Sequence, residues 1–380
     1  MYNENFYKTV NELVTLASGG TITGVVDYAS FVDAGAKLSN LNFVNFANSF
    51  IAAFMNKIAL TINTARSYVG RYKDLVRGQI NMGNTIEMIM NHFYDTQAAV
   101  FVELPEGQTI DQYIVQHPEA TVKYFTKYNA YDISRTIQYE QIRQAFTSPA
   151  TMNNFMSGVM MYILNSNEHA RESARLGMVA DLISRLTTAT AATTAEDSAQ
   201  RYKVLSLYNS IAGTQLTPDN CLYNEEFNKF LVTQIAKVQE KLSMPSTSYN
   251  KESLKTFSRP EDTHLFISSL LAKNTDTYIY LSNINPQYLP LRNYIDVPYW
   301  QDEKNPLTIT YDSDGEGTSV TTPPVVAMIC DKYAIGEWVD QEQLEVTPYN
   351  ARGQYWNYYL HVKTRYIRND SANAVVFTLE

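Results

Sequence analysis

The stretch SPATMNNFMSGVMMYILNSNEHARESARLGMVADLISRL, residues 148 to 186, sets the strongest constraint on the fold. Met152, Met156, Val159, Ile163, Ala170 and Ala174 hold one face of an α-helix, and the pattern runs on through Leu176, Val179, Ile183 and Leu186. Ser148 followed by Pro149 is a start signal, a capping residue and then a proline where its missing N–H costs nothing. Taken as one helix, the stretch is roughly 58 Å long at ~1.5 Å rise per residue, with Asn165-Ser166-Asn167 the expected place for a bend. The Thr/Ala-rich TTATAATTAEDSAQ (187 to 200) has no large side chain, reads as a solvated connector and marks a subdomain boundary.

Before this helix the pattern changes twice. Phe6, Val10, Leu13, Val14 and Ala17 recur at helical spacing and stop at Ser18-Gly19-Gly20; Phe43, Phe46, Phe50, Phe54 and Ile58 lie on one side of a second helical run from about 40 to 60. Residues 65 to 145 alternate and are β-branched, which predicts long strands around a protruding, irregular excursion, an extended arm. After the connector, Phe227, Phe230, Leu231, Ile235, Val238 and Leu242 predict a helix from about Asp219 to Leu242, ended by Pro245. From 255 onward HLFIS, DTYIYL, PLTITYD and PPVVAMICD read as short strands, giving an α+β chain with its strands concentrated late.

The chain end holds the densest aromatic segment, ARGQYWNYYLHVKTRY (351 to 366). Period-two alternation places Trp356, Tyr358, Leu360, Val362, Thr364 and Tyr366 on one face of a strand, toward the core. Tyr355, Asn357, Tyr359, His361, Lys363 and Arg365 fall on the other. Arg352 and Gly353 set the turn into the strand. Asn369-Asp370-Ser371 then reads as the turn of a closing hairpin, with ANAVVFTL as its return strand.

Little in the chain points to chemistry. His92, His117, His169, His264 and His361 lack the short spacing of helical metal sites, and HExxH is absent around His169. Asp312, Asp314 and Glu316 resemble the opening of a calcium loop, yet the twelfth position is Pro323, so a hairpin tip is the favoured reading. No GxSxG, Walker loop or GxGxxG occurs. Cys221 and Cys330 have no CxxC or His neighbour and read as buried thiols of a reducing compartment. A formal charge of -9 argues against a chain built to grip phosphate backbones. FIAAFMNKIALTI (50 to 62) is interrupted by Asn56 and Lys57, short of the ~20 apolar residues of a membrane span, and no secretory signal opens the chain. The 28 Tyr, against 16 Phe and 3 Trp, favour surfaces that are dry in places and wet in others, as at interfaces.

RGQINMGNTIEMI (77 to 89, with Gly78 and Gly83), the long helix containing ILNSNE, and NARGQYWNYYLHVKTRY followed by SANAVVF occur together in an order and spacing that resemble the major capsid protein of phi-29-type small tailed phages. The resemblance covers most of residues 45 to 380. It implies the Hong Kong 97 capsid fold, with an N-terminal arm (1 to 64), an extended loop (65 to 145), a peripheral domain with the spine helix and connector (146 to 202), an axial domain (203 to 345) and a terminal β-hairpin of the peripheral domain (346 to 380). The immunoglobulin-like domain that relatives carry after the terminal strands is not expected in a chain stopping at Glu380, and no lysine carries a recognisable cross-linking motif.

The resemblance also implies a function without catalysis or cofactor, namely self-assembly as pentamers and hexamers into an icosahedral head around double-stranded DNA. The expected partners are other copies of the chain, a scaffolding protein and a portal, with the DNA held by loose, non-specific proximity and no membrane. Assembly is expected in the bacterial host cytoplasm and residence in the virion. Gly78, Gly83, Arg352, Gly353, Tyr355, Trp356, Tyr358, Tyr359 and His361 are the structural and interface candidates, with Tyr355, Tyr359 and His361 assigned to packing between subunits. The rival readings are an encapsulin-like compartment of the same fold, a tail or receptor-binding protein that holds sugar on aromatic strands, and an enzyme without a familiar motif.

Overall fold

A computed structural model describes residues 68–80, 85–91, 120–145, 149–188, 199–282, 294–312 and 319–380, with isolated positions between 8 and 34 and at 83, 93 and 106. The helical run read between 40 and 60 and the connector read from 187 lie wholly or mostly outside these residues. Of the first helical pattern, Val10 and Val14 are described, helical and fully buried.

The strands are β1 (Val76–Gln79), β2 (Ile86–Asn91), β3 (Ala120–Phe125), β4 (Asn129–Gln138), β5 (Arg201–Lys203), β6 (Thr263–Ser268), β7 (Tyr294–Val297), β8 (Thr310–Asp312), β9 (Ser319–Thr321), β10 (Val325–Asp331), β11 (Ile335–Val346), β12 (Tyr355–Arg368) and β13 (Ala374–Thr378). The helices are α1 (Tyr139–Ala145), α2 (Pro149–Thr188), α3 (Val204–Ala212), α4 (Glu225–Leu242) and α5 (Ser269–Ser282). Four strands form one sheet in the order β1-β11-β12-β4 and five form another in the order β5-β13-β10-β6-β7; β2-β3 and β8-β9 are two-stranded ribbons.

The expected long helix is α2, 40 residues without interruption through Asn165–Asn167. It acts as a spine because its two halves cover different sheets. Val159 and Ile163 pack with Ile137, Trp356, Tyr358, Leu360 and Val362 of the four-stranded sheet. Val179, Leu182, Ile183 and Leu186 pack on Phe266, Met328, Cys330 and Val376 of the five-stranded sheet. The opposite face of that second sheet, with Leu265, Ile267, Ala327, Ile329, Val375 and Phe377, is covered by α4 through Leu231, Ile235 and Val238. Alternate residues of β6, β10 and β13 thus enter different cores, and near-continuous apolar runs are what a sheet covered on both faces requires. The start of α4 follows its sequence: Asn224 Oδ1 accepts from Phe227 N, and a single 3-10 turn (Cys221–Tyr223) precedes it.

Three expectations are corrected. The closing hairpin does not form: a turn follows Asn369, but β12 pairs with β11 and β4, whereas β13 pairs with β10 and β5 in the other sheet. The reason is compositional. β12 alternates and can leave one face open, while Ala374–Thr378 is buried at every position and needs cover on both faces. The sheets therefore divide residues 346 to 380 between them, and β11 begins before that boundary.

DTYIYL lies in α5, not in a strand. β6 and β7 are parallel neighbours, and a parallel pair needs a crossover, which α5 supplies against the β-propensity of its own tyrosines and isoleucine. Finally, the arm is shorter than 65 to 145. β4 pairs along its whole length with β12, and α1 buries Ile142 and Ala145 in the first core, so both belong to the body. The excursion begins after β1 and returns before β4, and the β2-β3 ribbon is its described part.

Candidate assembly surface

The terminal strand β12 carries most of the candidate residues. Trp356 and Tyr358 are core: both are almost completely buried, and the Trp356 ring meets that of Tyr349 at 4.6 Å with 41° between planes. The Tyr358 hydroxyl has no hydrogen-bond partner, and burial pushes its pKa above the ordinary tyrosine range. Burial alternates from Tyr355 to Thr364; beyond it both faces are partly covered, so that Arg365 is buried although it shares Asp340 and the Tyr128 ring with Lys363 on the expected outer face, and Tyr366, on the core face, is half-buried. A bulge between Val339 and Gln341 of β11 lies opposite Thr364 and Lys363. It sets Asp340 beside both Arg365 (3.0 Å) and Lys363 (3.0 Å), and Arg365 also donates to the Thr126 carbonyl. These contacts hold the Asp340 carboxyl below its usual range.

The other face of β12 is open. Tyr359 and His361 stack with rings 6.0 Å apart and 15° between planes. His361 lies 3.9 Å from Glu345, which ends a side-chain ladder running from Gln341 through Gln343. Asn357 accepts from Thr136 of β4, and Lys363 lies over the Tyr128 ring at 4.6 Å. This is a tyrosine-rich, hydrogen-bonding surface with few desolvated charges, the composition that protein interfaces favour.

The glycines have separate roles. Gly353 sits in the turn before β12, where Asn350 Oδ1 accepts from the N–H groups of Arg352 and Gly353. A Cβ on Gly353 would lie 2.2 Å from the Tyr355 ring, so glycine lets that ring fold back over the turn. The left-handed residue there is Gln354, φ 53°. Gly83 has φ +99°, which L side chains disfavour, between β1 and β2 where the chain enters the ribbon. Gly78 lies in β1 beside a register shift, in open space.

The main feature missed by sequence reasoning joins α2 to the four-stranded sheet. Glu337 of β11 is wholly buried and receives Arg171 (2.7 Å) and Arg175 (2.5 Å) from the spine helix. Arg175 also reaches Glu168 at 3.0 Å. Glu168 and Glu172 accept from the backbone N–H groups of Gly70 and Arg71, fastening the segment that leads into β1. Gly70 permits this close approach, since a Cβ would fall 2.3 Å from the Glu172 carboxylate, which would have to move aside. Asn167 extends the network to Tyr131 and Glu342. The ARESAR pattern reads as a solvated helix face when seen alone; burial is decided by the sheet that lies on it.

Among the described residues no three His, Cys, Asp or Glu side chains are placed to hold a metal ion, and no helix is long and apolar enough to cross a membrane. Cys221 and Cys330 are free, buried and in different cores, and burial raises both thiol pKa values, that of Cys221 to about 12. Asp312 and Ser319 pair across the β8-β9 ribbon, so the DSDGEG segment connects two antiparallel strands.

A spine helix crossing two sheets, with a β-ribbon beside them and an open tyrosine face, is the architecture expected of the Hong Kong 97 capsid fold. In agreement, the chain superposes on the capsid structure of Staphylococcus phage Andhra with a TM-score of 0.53, at 11% identity, over 83% of this chain and 85% of that one. It matches a chain in the structure of the head fiber and inner core protein gp22 of native bacteriophage P68 at TM-score 0.52 and 11% identity, over 84% and 87%. The Phi29-like phage major capsid protein model matches residues 21–378, and the chain belongs to that family. The major capsid protein of Bacillus phage PZA is 23% identical over 337 residues, 87% of this chain; the chain spans 63% of that relative's length. The family is structural and non-enzymatic, and its members are virion components that associate with copies of themselves.

Proposed function

We propose that this chain is the main building block of an icosahedral phage head, assembling as pentamers and hexamers around packaged double-stranded DNA. The observation that carries the reading is the family match across residues 21–378. In this reading residues 1 to 64 form the N-terminal arm and the segment between β1 and β4 is the extended loop. The spine helix with the four-stranded sheet is the peripheral domain, and the five-stranded sheet with α3 to α5 is the axial domain. Tyr355, Tyr359 and His361 pack between subunits.

A scaffolding protein and a portal complete the assembly in the host cytoplasm. The DNA is enclosed with little adhesion, consistent with the formal charge of -9. Contacts among many copies are expected to bury on the order of 2,000 to 5,000 Å² per interface. Electron microscopy of the chain expressed with its candidate scaffold tests the reading. Closed shells containing both five- and six-fold clusters are expected; a stable monomer with affinity for saccharide would overturn it in favour of a receptor-binding protein.

A further inference from the structure

The four-stranded sheet ends on one side in an unusually complete edge. β4 has ten residues, pairs with β12 from Asn129 to Gln138 without a register shift, and contains no proline. The other edges of the two main sheets are β1 with four residues, β5 with three and β7 with four. Proteins that stay monomeric blunt long edges with short strands, proline or bulges. Three of the four edges here follow that rule, and β4 does not.

The direction of its backbone groups follows from two hydrogen bonds. Tyr139 N donates to Gln354 O, continuing the β12 ladder, whereas Gln138 N turns away and donates to the Gln141 side chain at 3.1 Å. Backbone direction alternates along a strand. The odd-numbered residues of β4 therefore face β12, and Ala130, Asp132, Ser134 and Thr136 direct both N–H and C=O to the outer edge. Among the described residues nothing pairs with these groups. All four residues are exposed, and their side chains are small or short.

We propose that β4 is an interface strand that pairs with β4 of a second copy of this chain, antiparallel about a two-fold axis through Ser134. The inference rests on the self-assembly reading above. β4 is the one described strand longer than six residues that offers a free edge, so in a contact between identical subunits it is both the acceptor and the complementary donor. A two-fold axis normal to the sheet keeps each face on its own side and pairs residues of equal parity. With Ser134 opposite Ser134 of the other copy, Asp132 falls opposite Thr136, and both sets of outward groups meet in register. The two sheets then become one of eight strands.

The test is disulfide trapping in assembled particles. Residues directly opposite in a hydrogen-bonded antiparallel pair have Cα atoms about 5.5 Å apart, within the roughly 4.4 to 6.8 Å that a disulfide spans. Oxidised S134C particles are expected to yield a covalent dimer on denaturing gels. T136C, whose two copies would lie far apart in this register, is expected to yield none. S134P removes an outward N–H that the subunit does not use; it is expected to keep the wild-type circular dichroism spectrum and to lose particles. Particles of S134C that give no dimer, or normal particles from S134P, would overturn the pairing. If the wild-type chain forms no particles at all, the shell reading fails, and oxidation of S134C in solution, dimer or no dimer, still decides the strand pairing.

Discussion

Arg175 Nε lies 2.5 Å from Glu337 Oε2, and both side chains are almost completely removed from water. The pair ties the middle of the spine helix to the strand that also receives β1, so one carboxylate sets the helix on its sheet, and the neighbouring Glu168 and Glu172 fix the segment that leads into β1.

Replacing Glu337 with Ala leaves Arg171 and Arg175 buried beside a cavity. A loss of about 3 to 5 kcal/mol is expected, the usual cost of stranding one partner of a buried pair. Urea unfolding of the unassembled chain measures it, and a change under about 1 kcal/mol would mean that solvent reaches the network.

Trp356 and Tyr359 stand three residues apart on opposite faces of β12, which makes them a paired test. Trp356→Ala should cost about 3 to 5 kcal/mol of folding stability. Tyr359→Ala should stay within about 0.5 kcal/mol yet lower the yield of particles. Equal thermal destabilisation by the two changes would contradict an outward Tyr359.

His264 supplies an acid dependence. Its Nε2 lies 2.8 Å from Arg77 Nη2, and because a guanidinium can only donate, Nε2 is the acceptor and the ring is neutral. Burial first, and then the positive charge of Arg77, depress its pKa from 6.5 to about 4, with Lys332 acting the same way and Asp74 opposing. The unfolded chain therefore binds the extra proton at higher pH than the folded one. The contribution is intact above pH 6.5 and declines as pH falls toward about 4, by about 3 kcal/mol in all. Unfolding midpoints of wild type and His264→Gln measured across this range should converge at the acid end; parallel curves would refute the linkage.

The ribbon touches the body through Lys123 and Glu252 and through Met88 and Met90 at Asn369, yet it supplies none of the described buried residues of the three cores. Residues 86 to 125 replaced by a short turn should leave a folded subunit, since β1 and β4 remain in the sheet, while shells fail to form. Normal particles under negative stain would refute the arm's role in assembly. Removal of the whole segment from 65 to 145 is a different experiment, because it takes away Ile137, Ile142 and Ala145 from the first core and is expected to prevent folding.

What the amino-acid sequence determined by itself was whatever depends on neighbours along the chain. Ser148-Pro149 and the apolar face beyond it specify α2, the alternation from Tyr355 to Thr364 specifies which way Trp356 and Tyr359 point, and the ordered motifs are enough to identify the capsid fold. Tertiary structure decided what each element meets. Ala374–Thr378 follows a good turn but leaves it for the second sheet, because a strand apolar on both faces is stable only when covered on both. DTYIYL becomes helix because two parallel strands need a crossover. Arg171 and Arg175 read as solvated until β11 brings Glu337 beneath them. Burial is a property of the partner surface, and no local pattern records which surface that will be.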